Sequence, residues 1–257
     1  MSFSMPLLDL PWLTLAAILL IVLMAYGVFG ATGFGSSLIG VPLLAHLVPL
    51  TFAVPLFTLL DAGAATTQSI RLWRAASWPV FWRLLPSMLV GITIGALLLV
   101  SLPQAPLLLA LGIFVCGYAI YLVLGTRTLR TAPQWLAYPI GLIGGVFSVT
   151  FGTGGPIYMV FLSARIHDRT VLRATSSVVI AVSVWIRIVV FLAAGLLLHA
   201  PLLTVFALMV PVMILGLVLG NRLHGALTGR GFQRLLALMF LVNGVSLLVR
   251  SMPMLTP

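Results

Sequence analysis

Long apolar runs separated by short polar links fill almost the entire chain. Eight runs are long, and they occupy roughly 12–30, 50–70, 79–100, 105–125, 135–151, 171–198, 202–220 and 232–250. About 20 consecutive apolar residues form a helix that crosses the hydrocarbon of a bilayer. The pattern therefore predicts an all-α polytopic membrane protein whose single transmembrane domain covers residues 1–257.

Two further apolar pieces, 36–47 and 156–164, are too short to cross a membrane. Each would extend about 15–18 Å as a helix, against about 30 Å of hydrocarbon. Each follows a glycine-rich break, "TGFGSS" in the first case and "TFGTGGP" in the second. The order long run, break, short run and three long runs thus occurs twice. This order predicts a duplicated chain, with repeat 1 at about 10–125 and repeat 2 at about 134–250.

Composition and charge strengthen this interpretation. The chain is 62% hydrophobic and only 6% charged, whereas soluble domains carry about 25% charged residues. The net charge of +10 arises from thirteen arginines and three aspartates. Because no polar surface is left to carry a basic patch, we expect no nucleic-acid partner. Most arginines lie in four short links between apolar runs, as is typical of cytoplasmic loops. They are Arg71, Arg74, Arg83, Arg127, Arg130, Arg165, Arg169, Arg173, Arg222, Arg230 and Arg234.

The four arginine-bearing links also predict the topology. All of them face the cytoplasm only if 135–164 enters and leaves on the same side, as a helix hairpin broken at the glycines. The same rule applied to 12–47 places both chain termini outside and leaves three full crossings per half. An odd number of crossings gives two inverted repeats, each a Gly-broken hairpin plus three transmembrane helices. The alternative is that 12–30 and 135–151 cross fully, in which case one arginine-rich link faces outward.

The two glycine breaks are the first candidate for a binding site. Backbone exposed within hydrocarbon leaves unsatisfied amides, so a break survives only where it lines protein or water. Helices that start after the breaks would present free N–H groups and positive dipole ends to an anion. The alternative is that the glycines only permit close helix packing. The candidate substrate-binding residues of the breaks are Gly33, Phe34, Gly35, Ser36, Ser37, Phe151, Gly152, Thr153, Gly154 and Gly155.

Arg187 lies near the middle of the run 171–198, in "VSVWIRIVVF". An arginine at such a depth costs about 2.5–3.5 kcal/mol on insertion scales. Ser176 and Ser183 share its helical face, which makes a polar stripe with a deep cation. We expect Arg187 and Ser183 to contact an anionic substrate. The alternatives are a structural ion pair or an arginine that extends to the membrane interface.

Asp61 is the only acidic residue within an apolar run. Gln68 lies on the same helical face and is a further candidate for substrate binding. Two roles remain open for Asp61, an ion pair with Arg187 or Arg71 and the carriage of a coupled proton. Asn243, in the last run, is expected to form a hydrogen bond between helices.

The sequence lacks the residues that hydrolysis, metal binding or nucleotide binding would require. The histidines all lie near run ends, so an intramembrane hydrolase built on Ser36 and Ser37 would have no histidine at depth. No cluster of His, Cys and carboxylates has metal-ligand spacing. The chain contains neither a phosphate-binding G-x-x-x-x-G-K-[ST] motif nor any lysine. The sequence therefore predicts no enzyme, no metal, no cofactor and no nucleotide-driven motor.

The two broken segments, "GATGFGSSLIGVPLLAHL" and "GLIGGVFSVTFGTGGPIYMVFL", together with "RATSSVV", resemble the TauE/SafE sulfite exporter family, also called TSUP. The resemblance covers nearly the whole chain, although the first copy reads "GFGSSLIGVP" where the second reads "FGTGGP". It implies a carrier of the bacterial inner membrane for sulfite, sulfonates or related small organic anions. With the topology above, both termini would be periplasmic.

We therefore expect a secondary transporter that works by alternating access. The anion would lie against amides near Gly35–Ser37 and Thr153–Gly155, with Arg187 supplying charge. Its partners would be the small anion, membrane lipid and a candidate coupling proton, since no ATP-binding element is present. The alternatives are a channel-like anion pore and, less favoured, an intramembrane hydrolase.

Overall fold

A computed structural model describes residues 12–32, 35–124, 132–198, 200–222 and 230–255. Gly33 and Phe34, together with Arg127 and Arg130, lie outside the described residues. Throughout the described part the regular structure is helical, which confirms the all-α prediction. The described α-helices are α1 (Trp12–Thr32), α2 (Ser36–Leu44), α3 (Leu50–Leu72), α4 (Trp78–Ser101), α5 (Gln104–Leu124), α6 (Ala137–Phe151), α7 (Gly154–Arg165), α8 (Arg169–Ala193), α9 (Ala200–Arg222) and α10 (Arg230–Leu255).

Length and composition agree with a multi-pass membrane protein. Seven helical stretches of the described chain are long and apolar enough to cross a bilayer. Six of them are α3, α4, α5, α8, α9 and the part of α10 from residue 236 to 253, and the seventh is Gln134–Phe151, which contains α6. The outward-facing positions of these helices carry large apolar side chains, because lipid is as apolar as they are.

Glycines allow α4 and α6 to pack closely and in parallel. A Cβ atom added to Gly141 would lie 2.9 Å from the carbonyl oxygen of Leu84, and one added to Gly145 would lie 2.5 Å from that of Met88. Contacts that advance together along both helices mean that the helices run in the same direction. Small residues at such crossings bring backbones together in a membrane, where packing replaces the hydrophobic effect.

The pair α1 and α9 repeats this arrangement. A Cβ atom added to Gly216 would lie 2.8 Å from the carbonyl oxygen of Leu23, and one added to Gly220 would collide with the carbonyl of Gly27. These helices are therefore also parallel and glycine-packed. Helix α4 packs on α6 as α9 packs on α1, so the partners are exchanged between the two halves of the chain.

Two further helix pairs connect the halves. Helices α5 and α10 are antiparallel, since Gly112 contacts Leu248 and Cys116 contacts Gly244. Helices α3 and α8 cross near their midpoints, where Ala65 packs among small and branched side chains of α8. The crossing places the middle of α3 beside the middle of α8.

Helices α6 and α7 form a hairpin whose tip is Gly152. This glycine has a left-handed backbone (φ 72°), a conformation that costs other residues about 1–2 kcal/mol. The chain then folds back, and the ring of Tyr158 packs against Gly144. At the open end, Nη1 of Arg165 donates a hydrogen bond to the carbonyl of Ala132 (3.2 Å). The beginning of α6 and the end of α7 therefore lie at the same end of the bundle.

Helices α1 and α2 form a second hairpin, with left-handed Gly35 (φ 98°) directly before α2. Helix α10 holds the open end of this hairpin. Nη1 of Arg250 donates to the carbonyl of Ala45 (3.1 Å), and Asn243 Oδ1 lies 3.0 Å from Nε2 of His46. Asn243 thus takes part in the expected contact to another part of the bundle, although its partner His46 lies in the turn after α2 and not within a helix.

The two hairpins open towards opposite ends of the bundle. The amide of Ser77, which follows α3, donates to Oγ1 of Thr175 near the start of α8 (2.8 Å). The end of α3 and the start of α8 thus share one end. Helix α7 runs into α8 there, while α2 runs into the start of α3, a full helix length away. The hairpin tips consequently meet inside the bundle.

An aspartate marks the start of α8. The carboxylate of Asp168 accepts hydrogen bonds from the amides of Thr170 (2.7 Å) and Val171 (3.0 Å), as is typical of helix N-caps. The hydrogen bonds donated by the amides of Val171 and Thr170 hold the pKa of this exposed carboxyl below its usual value.

Candidate functional site

A cavity lies where the tips of the two hairpins meet α3 and α8. It contains about 440 Å³ of empty space, its opening included. A Cβ atom added to Gly152 would lie 2.7 Å from Cβ of Ser37, so the tips are in direct contact. The cavity is lined by Phe29, Gly35, Ser36, Ser37, Leu38, Asp61, Ser148, Gly152, Thr153, Gly155, Pro156, Tyr158, Ile180, Ser183 and Arg187.

On the side of the first hairpin, the polar groups are bound to one another. Oδ1 of Asp61 accepts hydrogen bonds from the hydroxyls of Tyr26 (2.7 Å) and Ser36 (2.6 Å), and Oδ2 accepts one from Ser37 (2.6 Å). All four side chains are buried. Hydroxyls at these distances on a carboxylate form strong, charge-assisted bonds. On this side of the cavity, the three hydroxyl donors are therefore already used in hydrogen bonds to Asp61.

On the side of the second hairpin, donors lack acceptors. Nη1 of Arg187 donates to the carbonyl of Ser148 (2.9 Å), but Nε of Arg187 has no partner among the described residues. The same holds for Oγ1 of Thr153 and the hydroxyl of Tyr158. Ser148 and Ser183 lie beside Tyr158 but bond each other (2.7 Å). A buried polar group without a partner costs about 1–3 kcal/mol, so three of them around one cavity point to a ligand.

Two opposite charges face this cavity without touching. Arg187 and Asp61 are 3% and 5% exposed, and the part of the chain that the structure describes records no ion pair between them. Arg71, the other candidate partner, lies exposed near the end of α3. Arg187 is also too deeply buried for the interpretation that it extends to the membrane interface. Its guanidinium is thus a buried cation whose donors are only partly used.

The backbone at the hairpin tips offers fewer free amides than we expect from the two glycine breaks in the sequence. The amide of Gly152 donates to the carbonyl of Ser148 (2.9 Å), and that of Thr153 to the carbonyl of Phe147 (3.2 Å). Thr153 therefore offers the cavity its hydroxyl only. The first amides of α2 and α7 remain without intrahelical acceptors, as at any helix start, although Pro156 removes one of them.

Most sequence-predicted site residues meet in the cavity. They are Gly35, Ser36, Ser37, Asp61, Gly152, Thr153, Gly155, Ser183 and Arg187. Three others do not line it. A Cβ atom on Gly154 would lie 2.6 Å from the carbonyl oxygen of Gly144, so this glycine serves close packing. The ring of Phe151 packs on that of Phe147 (5.5 Å), and Gln68 is half-buried outside the lining.

Sequence reasoning missed three hydroxyls of the site, those of Tyr26, Ser148 and Tyr158. Ser148 lies one helical turn before Gly152 and so shares the face of the break, a signal that was available. Tyr26 and Tyr158 stand among apolar residues, where a hydroxyl at depth needs a partner. Pairing such tyrosines with nearby polar positions would have indicated them.

The described residues contain no group of three potential metal ligands. Ser36 and Ser37, the serines considered for hydrolysis, donate to Asp61, and the cavity lining named above includes no histidine. The observed donors and the buried guanidinium are instead suited to holding a small anion.

Comparison with known proteins agrees with this chemistry. The family model described as "Sulfite exporter TauE/SafE" matches residues 18–247. The chain is 30% identical over 199 residues to "Probable inner membrane transporter protein TsaS" of Comamonas testosteroni, a match that covers 75% of this chain and 81% of that protein. No solved structure matches the chain. The chain is a multi-pass membrane transporter, and it belongs to the TauE/SafE sulfite exporter family.

Proposed function

We propose that this protein is a secondary transporter that moves sulfite, a sulfonate or a related small organic anion across the bacterial inner membrane. The observation that carries the proposal is Arg187, a buried guanidinium with an unpaired Nε in a cavity between two hairpin tips. An oxyanion placed there would accept hydrogen bonds from Arg187, Thr153 and Tyr158 at once. These three buried groups, which have no hydrogen-bond partner among the described residues, would then all be satisfied.

Alternating access is the second part of the proposal. We treat residues of about 10–125 and 134–250 as two inverted repeats, with both termini periplasmic and the arginine-rich links cytoplasmic. What supports this is that the hairpins open towards opposite ends of the bundle and that helix partners are exchanged between the halves. A site at the contact of two such repeats becomes open to either side when one repeat rocks against the other.

The experiment is a binding and uptake panel with the purified protein in liposomes. Sulfite, sulfate, sulfoacetate and simple carboxylates are compared at one ionic strength. The proposal expects saturable uptake of at least one sulfur oxyanion, accelerated when the same anion is present on the opposite side. Such countertransport distinguishes a carrier from a channel-like pore, whose flux shows no acceleration.

The decisive variant is Arg187→Gln, with Arg173→Gln as its control. Both replace an arginine of α8, but Arg173 is exposed at the arginine-rich end. Loss of one member of a buried, charged hydrogen-bonded pair costs about 2–5 kcal/mol, so we expect Arg187→Gln to reduce uptake by at least roughly 30-fold. Insertion should remain close to wild type, and thermal unfolding measured on the same samples separates a loss of folding from a loss of binding. Uptake that is equal in the two variants would remove Arg187 from the site.

A further inference from the structure

Two buried charges at the cavity, those of Arg187 and Asp61, determine what an entering anion does to the charge balance of the site. Arg187 contributes one positive charge and Asp61 one negative charge, and both are buried. These two charges cancel. When a monovalent anion enters, the site gains an uncompensated negative charge. Such a charge in a water-poor interior is costly, and a group that can take up a proton will do so instead.

We propose that Asp61 takes up one proton for each monovalent anion that binds, so that the protein is an electroneutral proton–anion symporter. This inference rests on the proposed function and extends it by naming the coupling ion, its carrier and the stoichiometry. The proton comes from the aqueous phase to which the cavity is open. It forms an O–H bond with the Asp61 carboxylate and returns to water on the other side when the anion leaves.

Asp61 is the acceptor because the other titratable and charged groups around it are unsuited. They are Tyr26 on α1, Tyr158 on α7 and Arg187 on α8, all of which are protonated at neutral pH. Helix α2 contains no titratable residue. The helices packed on α3 also carry titratable residues towards their ends, namely Arg83, Tyr138, Arg169, Arg173 and Arg222. Among the described groups around the cavity, the Asp61 carboxylate is thus the only one that can gain a proton.

The hydroxyls on Asp61 connect its proton to the anion. In the ionised state, the carboxylate holds the hydroxyl of Ser37 at 2.6 Å, and Ser37 lines the cavity. Once Oδ2 carries a proton, it becomes the donor and the oxygen of Ser37 becomes the acceptor. The hydroxyl hydrogen of Ser37 is then free to turn to the anion. Protonation thereby adds a donor to the site at the moment when the anion needs it.

The test measures anion and proton movement together in liposomes. Methanesulfonate is the first probe, because it stays monovalent across the working pH range, and sulfite is the second. Uptake is driven either by a pH gradient or by a potassium diffusion potential, while an enclosed dye reports proton entry. For the wild type, we expect one proton per methanesulfonate, uptake driven by the pH gradient and no response to the potential.

Asp61→Asn is the matched variant, because its amide imitates the protonated carboxyl in shape and supplies a donor towards Ser37. The site of this variant carries a permanent positive charge. We expect proton entry to disappear, the response to the pH gradient to be lost and methanesulfonate uptake to respond to the potential. Should the variant fold poorly, the wild-type proton-to-anion ratio decides alone.

The possible failures are distinguishable. Uptake that depends on Arg187 but brings in no protons, or that follows the potential in the wild type, overturns the coupling proposal and leaves the proposed function intact. If the wild type takes up neither methanesulfonate nor any anion of the panel above, both proposals fail. Proton entry that persists in Asp61→Asn would assign the coupling to another group.

Discussion

The two hairpin tips use the same backbone device and have opposite chemistry. Each carries a glycine with a left-handed backbone, Gly35 in the first and Gly152 in the second. At the first tip, the hydroxyls of Ser36 and Ser37 are bound to Asp61. At the second tip, the hydroxyl of Thr153 has no partner among the described residues. The hydroxyls of the first tip are thus satisfied within the protein, whereas that of the second tip lacks an acceptor in the described part of the chain.

This difference assigns separate roles to the two sides. A preorganised donor set without an acceptor gains most from an anion, because the buried groups have already lost their water. The carboxylate side repels an anion as long as it is ionised. We therefore assign substrate binding to the second tip and the control of charge to the first.

Among the variants that compare the two tips, the largest effect is expected where the tips touch. Gly152→Ala places a methyl group 2.7 Å from Cβ of Ser37 and 3.5 Å from Nη1 of Arg187, in addition to the backbone strain of about 1–2 kcal/mol. We expect anion uptake to fall by more than about tenfold and the melting temperature to decrease. Gly35→Ala is the control, since its Cβ would meet nothing within 4 Å. Gly35→Ala should lose only the stability that corresponds to the backbone strain. Equal losses of uptake and melting temperature in both variants would contradict the contact between the tips.

The second effect concerns two tyrosines that are both fully buried. The hydroxyl of Tyr26 donates to Asp61, whereas that of Tyr158 has no partner in the described chain. A hydrogen bond to a charged group contributes about 1.5–3 kcal/mol. Tyr26→Phe should therefore lower the free energy of unfolding by about that amount. Tyr158→Phe should leave it unchanged or raise it, and should weaken anion binding by roughly tenfold or more.

Thermal unfolding and binding isotherms on the same samples separate these outcomes. Thr153→Val, which removes the other unpartnered hydroxyl at nearly constant volume, should follow Tyr158→Phe in both measurements. The comparison of the two sides fails if Tyr158→Phe destabilises the empty protein as much as Tyr26→Phe does.

The smallest effect is expected for a hydroxyl that lies on the second side of the cavity but already has a hydrogen-bond partner. Ser148 belongs to the second side, yet its hydroxyl is already bonded to Ser183, and its carbonyl still holds Arg187 after truncation. Neutral hydrogen bonds contribute about 0.5–1.5 kcal/mol. Ser148→Ala should therefore reduce stability by about 1 kcal/mol and anion affinity by only a few-fold. Ser163→Ala, on the outer part of α7, is the control that should change neither quantity.

The sequence was sufficient for the helices, for the two breaks and for most cavity residues, because hydropathy and glycine are local signals. It was insufficient for the hydrogen-bonding state of each hydroxyl. Tyr26 reaches Asp61 across 35 residues, which only the packing of α1 on the rest of the bundle determines. Gly154 and Gly155 show the same limit, since adjacent helical positions point about 100° apart and only one of these two lines the cavity.

Gln68 shows how far helical periodicity alone can predict which residues line a cavity. It shares the stripe of Asp61 on α3, as the periodicity predicts, but the cavity meets α3 at Asp61 alone among the described lining residues. The angle at which α3 crosses α8 determines where that stripe leaves the cavity. Periodicity contains no information about such an angle. The role of Gln68 in substrate binding therefore stays a prediction.

The most direct test locates the anion itself. Selenite, a close chemical analogue of sulfite, is bound to the protein, and the anomalous scattering of selenium marks its position in a crystal. We predict one site in the cavity, with selenite oxygens about 2.7–3.2 Å from Nε of Arg187 and the hydroxyls of Thr153 and Tyr158. Selenium found elsewhere, with Nε of Arg187 still unpaired, would contradict the assignment of the second hairpin tip as the anion site.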